Sequence, residues 1–125
     1  LLDVHKCSVL KEADMEIATR EFKRCAVVEP SGRIDSATAP QLAEVFNEYI
    51  DEGQYNLVLD MGDVDFISSA GLRVLIDTQK KCQRLNRGEL VLADVPEDIY
   101  EALDLAGLLT LFEFYDEVLA AVGSF

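Results

Sequence analysis

Two adjacent hydroxyls, Ser68 and Ser69, stand where an apolar strand pattern passes through an acidic turn into a helical pattern, in residues 55 to 76, YNLVLDMGDVDFISSAGLRVLI. A helix start exposes unpaired backbone N–H groups and a partial positive charge, so a serine there can cap the helix or hold a phosphate. A bare serine before a helix is most often a cap, its oxygen accepting an N–H for about 1 kcal/mol. Hydrolytic chemistry fits poorly. A serine nucleophile needs a base and an orienting acid, and the single histidine, His5, lies in the segment with the least regular pattern and reads as solvent-exposed. Ile67 and Gly71 flank Ser69 where a G-x-S-x-G elbow would need glycines on both sides.

The acidic residues Asp60, Asp63 and Asp65 invite a metal reading, but an EF-hand-type calcium loop needs alternating oxygen ligands and a bidentate glutamate at its twelfth position. They read as a solvated acidic loop. No Gly-x4-Gly-Lys-Ser/Thr loop is present for a nucleotide triphosphate. No metal, no cofactor and no catalysis by the chain itself is expected.

Positioning these hydroxyls requires a strand before them and a helix after them, and the rest of the chain repeats that alternation. Residues 15–30 read as two strands, with Ile17 and Thr19 alternating in the first and Ala26, Val27 and Val28 forming an apolar run in the second; together they make an opening hairpin that turns around Phe22 to Arg24. Leu42, Val45, Phe46, Tyr49 and Ile50 then fall at the spacing of one helix face, with Ser36 or Thr38 as cap, Pro40 in the first turn and Gly53 just past the end. A short strand at 56–60 leads to a helix over 70–85 through Leu72, Leu75, Ile76, Gln79 and Cys82, with Gly88 as its stop. A strand at 90–93 follows, then Asp94 and Glu97 as a capping pair for a third helix that Gly107 closes, a last strand at 109–114 and a short terminal helix marked by Val118, Leu119 and Val122. Strands separated by helices imply right-handed crossovers and a parallel sheet, which the opening hairpin makes mixed.

The 125 residues, half of them hydrophobic, fit one compact α/β domain over 15–125, with 1–14 as an N-terminal extension or an extra strand. A net charge of −13 opposes any direct partnership with nucleic acid or an anionic lipid surface. No apolar run approaches the ~18 residues of a membrane span, so a cytoplasmic location without membrane contact is expected. Three distant cysteines, Cys7, Cys25 and Cys82, suit reduced packing residues better than a disulfide framework.

The stretch DVDFISSAGLRVLI resembles the signature of the STAS domain, and specifically of the anti-sigma factor antagonists, in which an acidic strand end leads to a serine, a small residue, glycine and leucine. The upstream GRIDSATAPQL is similar to that family's second motif, a glycine, an apolar residue and an aspartate before a Thr-Ala-Pro helix start. The likeness runs from about Met15 to the C-terminus. It implies a STAS-type fold and a chain whose unphosphorylated form binds an anti-sigma factor serine/threonine kinase and so frees a sigma factor. Phosphorylation would release it, and a serine phosphatase would restore it.

Carried onto this sequence, the resemblance makes Ser69 the phosphoacceptor, with Ser68 a less favoured second hydroxyl. Where the family often has aspartate before the modified serine, this chain has Ser68. Consecutive strand ends share one edge of a parallel sheet, so Asp35, Ser36, Thr38, Ser68, Ser69, Gly71 and Arg73, with Asp63 at the margin, form the expected partner-binding face. Gly71 can also serve close helix packing, and Arg73 can be a solvated helix face.

Two other readings carry less of the sequence. A phosphoaspartate receiver would use Asp60, but it opens on a strand and an acidic pair and has a lysine after a later strand, where this chain has LVLAD. STAS-like domains also serve as subunits of membrane transport systems and as scaffolds in stress signalling, without a kinase-driven sigma switch. Fold does not decide among these.

Overall fold

The computed structural model describes residues 7–12, 15–84 and 87–125, with side chains from residue 16 onward. The order along the chain is β1 (Cys7–Glu12), β2 (Met15–Glu21), β3 (Ala26–Ile34), α1 (Ala39–Asp51), β4 (Leu57–Asp60), β5 (Asp63–Ile67), α2 (Ser69–Gln83), β6 (Leu90–Ala93), α3 (Glu97–Leu105), a 3₁₀ turn (Leu109–Leu111), β7 (Phe114–Tyr115) and α4 (Val118–Gly123). The strands form one sheet in the order β1-β2-β3-β4-β6-β7, with β5 also paired to β3. The pairs β1–β2 and β2–β3 are antiparallel, and the pairs β3–β4, β3–β5, β4–β6 and β6–β7 are parallel.

Side-chain alternation along the central strands sorts the core into two layers. Ala26, Val28, Leu57, Leu59, Leu90 and Leu92 face α1, α2 and α3, where Leu42, Phe46, Leu75 and Leu103 are fully buried. Val27, Val58, Val91 and Ala93 point the other way, against Phe22, Cys25 and the α4 residues Ala121 and Val122. A sheet buried on both faces explains why LVL recurs in β4 and β6 with no polar interruption. Burial pushes the Cys25 thiol up to about 11 and the Cys82 thiol to about 12, so both stay protonated packing groups. His5 and the side chain of Cys7 lie outside the described residues.

Several local expectations give way. β5 replaces the acidic loop: β4 pairs with Ala26, Val27 and Val28, the chain jogs at Met61 and Gly62, and β5 continues along the same edge from Ser31 to Ile34. Val64 sits opposite Gly32 and Phe66 opposite Arg33, leaving Asp65 bulged out, and this breaks the two-residue alternation that would mark a strand in sequence. The last strand shrinks to Phe114–Tyr115 behind a 3₁₀ turn, in which Leu111 N–H donates to the Leu108 carbonyl at 3.0 Å and the Leu111 carbonyl accepts from the Gln79 side chain at 2.9 Å. Asp94 does not cap α3; it holds a left-handed φ of 52°, and Pro96 occupies the N-cap with no side-chain hydrogen bond. α2 ends at Gln83, well before Gly88.

Gln79 is fully buried in α2, and both polar atoms of its amide are hydrogen-bonded: Nε2 donates to the carbonyls of Leu90 and Leu111, both at 2.9 Å, and Oε1 accepts from Leu90 N–H at 2.7 Å. One side chain thus joins the second half of α2 to the start of β6 and to the 3₁₀ turn.

Candidate functional site: two turns at one edge of the sheet

The first turn follows β3. Asp35 Oδ1 accepts from Ala37 N–H at 3.0 Å and Thr38 N–H at 3.2 Å, and these bonds, the Ala37 one foremost, hold its carboxyl below the ordinary 3.8; the nearby Arg33 charge adds to them and partial dehydration opposes them. Thr38 Oγ1 donates to the Arg33 carbonyl at 2.7 Å and accepts from Asp35 N–H at 2.9 Å. Its single proton cannot also serve Asp35 Oδ1 at 3.3 Å, so the shorter contact to Arg33 takes it. Asp35 therefore covers the first N–H groups ahead of α1, and neither Ser36 nor Thr38 makes a side-chain cap. Thr38 is fully buried, whereas Ser36 is exposed.

The second turn follows β5. Ile34 and Ile67 are register partners, and Ser68 N–H donates to the Ile34 carbonyl at 2.8 Å, so the two turns lie in direct contact. Ser68 is the N-cap of α2: its backbone is extended and its Oγ accepts from Gly71 N–H at 3.3 Å. Ser69 is the first helical residue, exposed, and its hydroxyl has no partner among the described residues. A difference of one residue thus divides the pair, with one oxygen holding the helix and the other open to solvent.

Gly71 is buried beneath them. A Cβ there would come within 2.7 Å of Ile34 Cγ2 and 2.8 Å of Ile67 Cγ1, distances that side chains do not tolerate without displacement. Its role in the structure is the close approach of α2 to both strand ends, and it offers no side chain to a partner.

Around the serine turn the surface carries the remaining expected residues. Ser36, Ser69, Arg73 and Asp77 line one shallow groove of about 370 Å³, together with Ala39 and Pro40. Asp63 and Asp65 are exposed on β5. Two further residues join this face, both inside the quoted motifs but not singled out there: Arg33 lies 4.4 Å over the Phe66 ring, which is 39% exposed, and its Nε sits 3.8 Å from Asp35 Oδ2. Phe66 shows at the surface because the Asp65 bulge displaces it from the inward register. Under the β4–β5 jog, Glu29 has its carboxyl pushed up to about 7, first by a hydrogen bond with Asp60, then by burial and by the Asp60 charge. Asp60 Oδ1 also accepts from Gly62 N–H at 3.1 Å.

Among the described residues, no cluster of three or more His, Cys, Asp or Glu side chains is arranged to hold a metal ion, and no helix is long and apolar enough to cross a membrane.

Residues 16–121 match the family model of the STAS domain. BtrV of Bordetella bronchiseptica, classed by its name with the anti-sigma factor antagonists, is 36% identical over 94 residues, covering 75% of this chain and 80% of its own. The anti-sigma-F factor antagonist RsfB of Mycobacterium tuberculosis is 30% identical over 107 residues, or 85% of this chain and 88% of its own. The crystal structure of an anti-sigma factor antagonist from Mycobacterium paratuberculosis superposes with a TM-score of 0.77 at 26% identity, over 92% of this chain and 97% of that one. With the fold, the paired turns and these relatives in agreement, the chain belongs to the STAS domain family, among the anti-sigma factor antagonists.

Proposed function

We propose that the protein is an anti-sigma factor antagonist whose unmodified form docks on an anti-sigma factor serine/threonine kinase, displaces or excludes the sigma factor, and is released when Ser69 is phosphorylated. Ser69 Oγ takes the γ-phosphoryl group of ATP, ADP leaves, and the hydroxyl proton passes to a base of the kinase. A serine phosphatase hydrolyses the ester and returns the free hydroxyl. The chain is the substrate in this chemistry and catalyses none of it.

The observation that carries the reading is the division between the serines. Ser68 is committed to the helix, and the exposed Ser69 hydroxyl beside it has no internal bond to break before transfer. Ser36 and Arg73 line the same groove as Ser69, and the Asp35 turn is tied to the serine turn through Ser68 N–H on the Ile34 carbonyl, which suits a single docking surface. A phosphoserine adds about 1.5 to 2 negative charges at neutral pH. Burying such a charge against a partner with no matching cation costs about 2 to 5 kcal/mol, or about 30- to 4,000-fold in affinity.

Two measurements test this. Incubation with the cognate kinase and ATP, followed by site-localised mass spectrometry, is expected to find phosphate on Ser69 and none on Ser68. In binding titrations Ser69→Ala is expected to hold the kinase as the parent does, and Ser69→Asp to bind at least tenfold more weakly; equal affinity for all three would discard the proposal.

A further inference from the structure

Arg73 stands apart from the other charges on this face. It is exposed on α2, lines the same groove as Ser69 and Ser36, and has no ion pair among the described residues. Arg33, another cation at this end, is already engaged by Asp35 and by the Phe66 ring. Asp77, one turn further along α2, is the only acidic side chain lining the groove among the described residues.

Helix geometry decides which way Arg73 reaches. Ser69 and Arg73 are four residues apart, so their side chains rise on the same face. Side chains in a helix lean toward its N-terminus, which carries the guanidinium back over position 69 and away from Asp77. An anion four residues N-terminal to a cation is also the more favourable order for such a pair.

We propose, resting on the reading of Ser69 as the modified residue, that Arg73 is the intramolecular receiver of the Ser69 phosphate: the guanidinium fork closes on two phosphate oxygens and is thereby withdrawn from the partner surface. In the unmodified chain Arg73 is free to meet acidic groups of the docked regulator. Modification then alters the face twice, adding a dianion and removing the cation that lines the groove. The planar fork matches a phosphate in two places, which a lysine cannot reproduce.

The test uses the full chain with phosphoserine installed at position 69 by codon expansion, so no kinase is required. ³¹P NMR follows the second ionisation of the phosphate in the parent, in Arg73→Gln, in Arg73→Lys and in Lys80→Gln. Loss of an exposed pair of this kind raises the phosphate pKa by about 0.2 to 0.4 of a unit. Arg73→Gln is expected to show that rise, Arg73→Lys a smaller one, and Lys80→Gln, on α2 but outside the groove, almost none. Equal titration in Arg73→Gln and Lys80→Gln would overturn the assignment. Because the phosphoserine is incorporated during translation, that result is independent of whether a kinase uses Ser69, and a failure to find kinase modification would leave the titration standing.

Discussion

The Asp35 turn and the Ser68–Ser69 turn lie side by side, and each carries the chain from a strand end into a helix, yet they dispose of their polar groups in opposite ways. In the first, Asp35 and Thr38 direct their oxygens inward, to Ala37, Thr38, Arg33 and Asp35 backbone groups. In the second, one hydroxyl caps the helix and its neighbour is left unengaged. The difference shows how a small domain can present a reactive group without loosening itself: a fully satisfied turn props an adjacent one, and only a single side chain is kept in reserve.

The contact between the turns breaks most severely at Gly71. Gly71→Val forces a branched side chain against Ile34 and Ile67, and the loss of stability is expected to be about 1 to 3 kcal/mol, read from urea denaturation. An unchanged midpoint would show that the close approach is not needed. Thr38→Val, nearly the same shape without the hydroxyl, strips the Arg33 carbonyl and Asp35 N–H of their buried partner and is expected to cost about 1 to 2 kcal/mol.

The serine turn should answer asymmetrically. Ser68→Ala removes the α2 cap and is expected to cost about 1 kcal/mol. Ser69→Ala, an exposed change that breaks no bond, should stay within about 0.5 kcal/mol of the parent. Equal losses at the two positions would contradict the division of labour.

A last comparison separates carboxyl groups by pH. The depressed Asp35 carboxyl contributes stability above its ordinary 3.8 that is lost as pH falls through its folded value. Glu29 behaves in the reverse sense: its folded value of about 7 lies above the ordinary 4.5, so its contribution is complete below 4.5 and disappears as pH rises through about 7. Glu29→Gln is expected to flatten the pH dependence of the urea midpoint between these values. A slope identical to the parent's would rule out the Glu29–Asp60 contact as its source.

Where packing repeats in the sequence, the fold was legible. Leu42, Val45, Phe46 and Tyr49 mark the buried face of α1, and Gly53 ends that helix with a left-handed φ of 90°. What escaped depends on a neighbour that local pattern does not contain. Asp65 bulges because β5 must follow the edge of β3, and that irregularity hides the strand and brings Phe66 to Arg33. Residues 109–111 look like a strand, but they close a 3₁₀ turn whose Leu111 carbonyl accepts from the distant Gln79 amide. At the site, both serines were visible in sequence, while their roles turn on where the first helical residue falls, a matter of one position fixed by Ser68 N–H on the Ile34 carbonyl. The Glu29–Asp60 contact joins two strands and has no motif at all.

The Gln79 anchor has a bearing on what a regulator can sense. With the far half of α2 moored to β6 and to the 3₁₀ turn through three bonds from one amide, the helix has little freedom to slide or swivel when its leading end gains charge. A partner would then be answering to a change of chemical identity on a rigid outline, and the signal would travel as a local mismatch of potential.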